Sequence, residues 1–394
     1  MTSAERRAGM SLAAIFALRM LGLFLILPVF AVHAAGIPGG DNLTLVGLAI
    51  GAYGLTQACL QIAYGAASDR FGRKPVIVFG LMLFVIGSGV AALADSIQVI
   101  IAGRVLQGAG AISAAVTALA ADLTRDQHRT KVMAMIGSSI GLVFALSMVA
   151  APLLYAAIGM DGIFWLTAVL AVAAIGVVLW VVPEAPPVPR ANGGRFVDVL
   201  RDGQLMRLNL GVFTLHLIQT TMWVMVPAAL VAGGGLPMPE HWKVYLPAVL
   251  LSFLAMVPAV IIAERRNLMK PVFNAAIGLL AAVQFGLWLF GDALVPLALL
   301  LTLFFVAFNV LEATQPSWIS RIAPPYAKGT ALGVYNTLQS LGLFLGGLLG
   351  GWLGQRFGPG AVSLVCGVLA LAWLGLSSGM NPPPARTVPA PDKA

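Results

Sequence analysis

Glu312 is the one carboxylate set deep in a long apolar run, 295–320. A charge in such a run is costly to bury, which makes it a functional candidate by default. A carboxyl among apolar neighbours can take up and release a proton near neutral pH, so Glu312 is the first candidate for a protonation site. The plainer alternative is a structural partner for an arginine. Arg19, in the run 11–33, and Arg104, in the run 97–121, are the other charges inside apolar runs. Arg104 could bind an anion or modulate Glu312. Arg19 lies only a turn or two inside its run and could reach back to the surface. His216, in the run 206–232, could titrate with Glu312 or stay neutral and buried.

A second group of charges is packed into the turn Gly65-Ala66-Ala67-Ser68-Asp69-Arg70-Phe71-Gly72-Arg73-Lys74-Pro75. An acid, two arginines and a lysine stand at fixed spacing where two apolar runs meet. Asp122, at the end of the run 97–121, is a sensible partner for Arg73. Gly72 permits a backbone shape that a side chain would hinder. The turn reads as a conformational latch built on Gly65, Asp69, Arg70, Gly72, Arg73 and Asp122. The bland alternative is a solvated basic loop.

The elements that must position these residues are twelve apolar runs, near 11–33, 44–66, 75–94, 97–121, 132–157, 162–183, 206–232, 242–264, 271–291, 295–320, 329–354 and 360–380. Each holds roughly 20 residues or more, enough for a helix to cross a hydrocarbon core. Lipid offers backbone amides no partners, and continuous rather than alternating hydrophobicity selects helices over a barrel. The chain is 59% hydrophobic and 10% charged over 394 residues. A soluble protein of that composition could not cover its surface. The expected class is an all-α membrane protein of twelve transmembrane helices in two pseudo-symmetric six-helix bundles.

The net charge of +8 is a topology signal. Of the 23 Lys and Arg, all but Arg19, Arg104, Lys243 and Arg356 fall in the two ends and in alternate loops. That asymmetry predicts both termini in the cytoplasm and excludes nucleic acid as the partner. The start resembles a signal peptide, but Arg19 interrupts the apolar region and the run is long, so it reads as a retained first span.

Cys59 and Cys366 lie in separate runs, and the four histidines have no ligand spacing, so no disulfide, metal or cofactor is expected. Asn42-Leu43-Thr44 matches a glycosylation sequon that chance supplies often. Gly137-Ser138-Ser139-Ile140-Gly141 fits a hydrolase elbow, but it sits in a predicted helix without a strand-to-helix turn, so no enzyme is expected.

Residues 184–205 interrupt the runs with PEAPPVPR and Asn192-Gly193-Gly194. They predict a cytoplasmic linker between a bundle at 1–183 and another at 206–380, with a disordered Pro-rich tail at 381–394. Arg104-Val105-Leu106-Gln107 in the fourth run faces Asn309-Val310-Leu311-Glu312 in the tenth. Asp69…Lys74-Pro75-Val76 is echoed by Glu264…Lys270-Pro271-Val272. Both echoes favour parallel repeats. Gly342, Gly346, Gly350 and Gly354 form one flat stripe on the eleventh span, either a sliding seam or static close packing.

The string GAASDRFGRKP matches the loop signature G-x-x-x-D-R-x-G-R-K at every defining position, between the second and third of twelve runs. With the six-plus-six division and Arg104-Val105-Leu106-Gln107-Gly108, the chain resembles the major facilitator superfamily over its whole length. Within it, LRMLGLFLILPVF, YGLTQA, SDRFGRKP, LQGAGAISAAV, EHWKVYL and FFVAFNVLEA resemble the drug/proton antiporter branch. Ala150-Ala151-Pro152 departs from that branch's Gly-Pro ending of the fifth span. Similar proteins often carry a further soluble C-terminal domain, which is expected to be absent here.

The resemblance implies that Arg104 takes part in proton coupling. It also implies a charge relay through Asp69, Arg73 and Asp122, with Asp69 near the start of the eleventh span at Gly329 and Thr330. The substrate cavity is expected between the bundles near the midplane. Its candidate lining is Gln57, Gln61, Gln107, Gln219, Trp223, Phe308, Asn309, Tyr335, Asn336 and Gln339. A few polar groups among aromatics suit an amphipathic or apolar solute. The expected function is a proton-coupled exporter of small molecules in the bacterial inner membrane, acting as a monomer. The alternatives are an uptake symporter or facilitator of the same fold, or a non-transporting sensor.

Overall fold

A computed structural model describes residues 1–184, 196–324 and 327–382. Residues 185–195 of the expected linker and 383–394 of the expected tail therefore lie outside the described residues. Every described element is helical. They are α1 (Ser3–Ala34), α2 (Leu43–Phe71), α3 (Arg73–Ala92), α4 (Ile97–Ala109), α5 (Ser113–Asp122), α6 (Asp126–Gly176), α7 (Phe196–Arg201), α8 (Gly203–Ala232), α9 (Trp242–Arg265), α10 (Met269–Phe290), α11 (Leu294–Ile322), α12 (Lys328–Phe357) and α13 (Pro359–Ser378).

Polar side chains start several of them. Thr2 and Glu5 form a reciprocal capping box at α1. Asp202 accepts from the Gln204 and Leu205 amides at α8, at 2.8 and 3.1 Å. Asn42 accepts from the Thr44 and Leu45 amides at 3.0 and 3.3 Å. Its sequon match is thus a helix cap in this fold.

The spans depart from the expected runs in three ways. They continue through charged residues at their ends, since helical hydrogen bonding does not stop where hydrophobicity does. The fifth and sixth runs are joined in α6, where Gly159 (φ 68°, ψ −174°) makes the turn between them. The fourth run is broken between α4 and α5, so that the twelve crossings are α1, α2, α3, α4 with α5, the two limbs of α6, α8, α9, α10, α11, α12 and α13. The break follows from packing. A Cβ on Gly110 would run into the carbonyl oxygen of Gly80 on α3. The close approach is possible only for glycine, and it leaves the Gly110 carbonyl free of the helix ladder.

The packing repeats between halves. α1 packs on α6 as α8 packs on α12, α2 on α4 as α9 on α11, and α3 on α6 as α10 on α13. Between the halves the main contact is α2 against α12, with α1 against α8 and α6 against α9. The crossings are even in number, so both ends of the described chain lie on one side, called here the termini side.

Candidate functional site

Glu312 on α11 meets His216 on α8 and Gln339 on α12. Its Oε2 lies 3.6 Å from His216 Nε2. Gln339 Nε2 is 2.7 Å from His216 Nε2 and 3.5 Å from Glu312 Oε1. His216 Nδ1 lies 3.0 Å from the Val212 carbonyl oxygen, which only accepts, so Nδ1 carries a proton. In the neutral ring Nε2 is then an acceptor, filled by the Gln339 amide. That leaves Glu312 Oε2 enclosed and without a hydrogen-bond partner, although the side chain as a whole is 37% exposed. An enclosed, unpaired carboxylate oxygen is costly. At 3.6 Å Glu312 Oε2 and His216 Nε2 are neighbours without a hydrogen bond between them. The geometry brings a carboxyl, an imidazole and a carboxamide from three helices to one point.

Arg104 does not join this pair. It donates to the Ala49 and Ile50 carbonyls at 3.2 and 3.3 Å and to Gln107 Oε1 at 2.8 Å. Gln107, expected to line the cavity, is fully buried and donates to Ser88 at 2.8 Å. It braces Arg104 inside the first bundle. Arg19 does not reach the surface either, being 1% exposed. It donates to Ser113, Gln57 and the freed Gly110 carbonyl, each at 3.2 Å, and to the Tyr53 hydroxyl. The helix break supplies an acceptor that an intact helix would have used, which is why Arg19 can remain inside.

Both guanidiniums also lie over Tyr53, 5.6 and 5.3 Å from its centroid. Tyr53 was not expected. Its signal was its place one helical turn before Gln57.

The charged turn forms the expected relay in part. Arg73 donates to Asp122 Oδ2 at 2.8 Å, to Ser68 Oγ at 2.7 Å and to Asp69. Gly72 (φ 95°, ψ 151°) ends α2 and starts α3, a conformation that a Cβ would strain. Arg70 sits outside the relay, exposed, over the Phe71 ring. Gly65 has only ordinary contact with Ala114, so packing does not demand glycine there.

Asp122 is 15% and Asp69 57% exposed at the side chain. Asp122→Asn is therefore expected to cost about 1–3 kcal/mol, because it strips a half-buried guanidinium of its enclosed partner. Asp69→Asn is expected to cost about 0–1 kcal/mol. Melting in detergent checks this, and a larger loss for Asp69→Asn would reverse the ranking.

The two bundles meet on the side opposite the termini and part on the termini side. Across the seam, Gly47 and Gly51 of α2 lie against Gly347 and Gly351 of α12 so closely that a Cβ would strike backbone. Gln355 Oε1 accepts from the Leu43 amide at 2.7 Å, and Gln57 donates to Ser340 Oγ at 3.1 Å. Further towards the termini, Ile62 is 55% exposed, and Gly329 and Gly333 face nothing within 4 Å.

The stripe Gly342, Gly346, Gly350 and Gly354 instead packs on Phe213, Leu217, Thr221 and Met225 of α8 and α12's own bundle. It packs within one bundle rather than across the seam. The seam between bundles is carried one residue along, by Gly347 and Gly351.

At mid-depth Phe144 of α6 brings its ring within 6.4 Å of Trp223 and 6.0 Å of both Phe305 and Phe308. Phe144 is apolar in an apolar run, and nothing in its sequence distinguished it. Among the expected lining residues, Gln339 and Asn336 are partly exposed. Gln57, Gln61, Gln219, Trp223, Phe308, Asn309 and Tyr335 are buried in this conformation. Asn309 donates to Ser252 of α9 at 2.9 Å, and Tyr335 to Gln315 of α11 at 3.4 Å. The Gln61 amide is enclosed without a partner.

Twelve helical crossings in two pseudo-symmetric halves that meet along one seam are the architecture of a polytopic membrane protein. The chain belongs to the Major Facilitator Superfamily, whose family model matches residues 12–347 and 248–394. It is 46% identical over 389 residues to the inner membrane transport protein YajR of Escherichia coli, covering 98% of this chain and 85% of that protein. It is 27% identical over 348 residues to the multidrug resistance protein MdtH of Yersinia enterocolitica, covering 85% and 83%. The crystal structure of a bacterial homologue of the human lysosomal transporter Spinster, inward-facing and occupied, superposes with a TM-score of 0.77 at 12% identity, covering 96% and 97%. That likeness concerns the fold alone. Transport of a small molecule across a membrane, rather than catalysis, is the activity the family defines.

Proposed function

We propose that this chain is a proton-coupled exporter of small amphipathic or apolar compounds in the bacterial inner membrane, with both termini in the cytoplasm. The enclosed oxygen of Glu312, facing His216, carries the reading. Phe308 lies edge-on to His216 with centroids 5.8 Å apart, so the proton pair borders an aromatic surface suited to an apolar solute. A solute entering from the parted side reaches the half-exposed Glu312, and solute and proton compete for that face. The seam of α2 and α12 then opens while the termini side closes. In the closed mouth, Asp69 meets the start of α12. The multidrug resistance name carried by MdtH agrees with export.

The test is proton movement in proteoliposomes when substrate is added. Export by antiport predicts that protons move opposite to substrate. Protons moving with the substrate would make the chain an uptake symporter, and substrate flux without proton movement would make it a facilitator.

Orientation has its own check. Cysteines replacing Asp95 or Asp292 are expected to react with an impermeant thiol reagent in intact cells, whereas one replacing Asn192 is not. Labelling at Asn192 would invert the topology.

A further inference from the structure

We propose that the first helix carries a binding site for an anionic phospholipid in the leaflet on the termini side. Two grooves flank its opening turns. One, of about 590 Å³, runs between α1 and the start of α6 and is lined by Met10, Ala13, Lys131, Ala134, Met135 and Ser138. The other, of about 460 Å³, runs between α1 and the last turn of the sixth span, with Arg6, Arg7, Ser11, Val177 and Val181 among its walls. Met10, 60% exposed, forms the crest between them.

The cations lie at one depth. Gly9 packs on Val132 and Met135, and Ser139 donates to the Ala13 carbonyl at 3.2 Å, so α1 and α6 run side by side in register. Lys131 is thereby level with the first two turns of α1. Arg6, Arg7 and Lys131 are exposed and make no ion pair with a described residue. The adjacent acid, Glu5, is already engaged by Arg125 at 2.8 and 3.1 Å. Trp180, 80% exposed beside the second groove, stands where indole rings settle at the headgroup level.

Three exposed cations that make no ion pair with a described residue, above two apolar grooves, match a phosphate-bearing headgroup with a chain in each groove, straddling Met10. Basic pockets between helices at this depth are the usual form of acidic-lipid sites. A soluble anion would satisfy the cations and leave the grooves unused. The site lies away from the Glu312 pair and does not depend on how transport is coupled.

The experiment is native mass spectrometry of the full chain in detergent, titrated with phosphatidylglycerol, phosphatidylcholine or inorganic phosphate. Phosphatidylglycerol is expected to remain bound at lower concentration than phosphatidylcholine and to resist competition by phosphate. Arg6→Gln, Arg7→Gln and Lys131→Gln are each expected to weaken its retention about fivefold. Arg6→Lys with Arg7→Lys is expected to keep it, which separates loss of charge from loss of fold. Equal retention of the two lipids, displacement by phosphate alone, or full retention in the combined glutamine variant would overturn the site.

Discussion

In Glu312→Gln, proton-driven transport is expected to fall to the level of protein-free liposomes, while the protein folds and melts as the wild type does. Glutamine keeps the size of the side chain and can still hydrogen-bond, but it neither binds nor releases a proton. The variant should therefore exchange substrate down its gradient without responding to a proton gradient. His216→Gln, which keeps Glu312 but removes its imidazole neighbour, is expected to retain coupling. Transport by Glu312→Gln that still follows the proton gradient would remove Glu312 from the coupling site.

Gly347→Val is expected to act at the opposite end of the cycle. A Cβ there meets the Gly47 carbonyl oxygen and comes within 3.0–3.1 Å of the Gly51 backbone. Neither obstacle is a flexible side chain, so the bundles themselves must separate on the side away from the termini. Overpacking of this kind costs about 1–3 kcal/mol, which shifts a two-state equilibrium about 5- to 150-fold. The conformation closed on that side is disfavoured and turnover falls with it. Nitroxides at Asp41 and Arg356 are expected to move apart. Gly342→Ala is the control. It presses on Phe213 inside one bundle and is expected to lower the melting temperature without changing that distance. A valine variant with unaltered distances would show that the seam is not the gate.

Much of this architecture was legible without coordinates. Long apolar runs can satisfy their backbone only as helices, so composition and run length determined the class and the crossings. Charge at their ends determined the charged turn, and the Arg73–Asp122 pair followed from where two runs end. The rarity of charge inside lipid singled out Glu312, Arg19 and Arg104 before any contact was known.

Tertiary structure decided what each of them does. Periodicity gives a residue a face on its helix but not the neighbour that face meets. His216, Glu312 and Gln339 lie on three helices widely separated in the chain, and only packing brings them together. The break at Gly110 exists because α3 approaches there, and it turns Arg19 inward to an acceptor that an unbroken helix would have used. The glycine seam shows the same limit: a one-residue step along α12 is about 100° around the helix, enough to exchange the partner bundle for its own. Local chemistry therefore determined which residues could matter, and the rotation of each helix about its axis decided which of them meet.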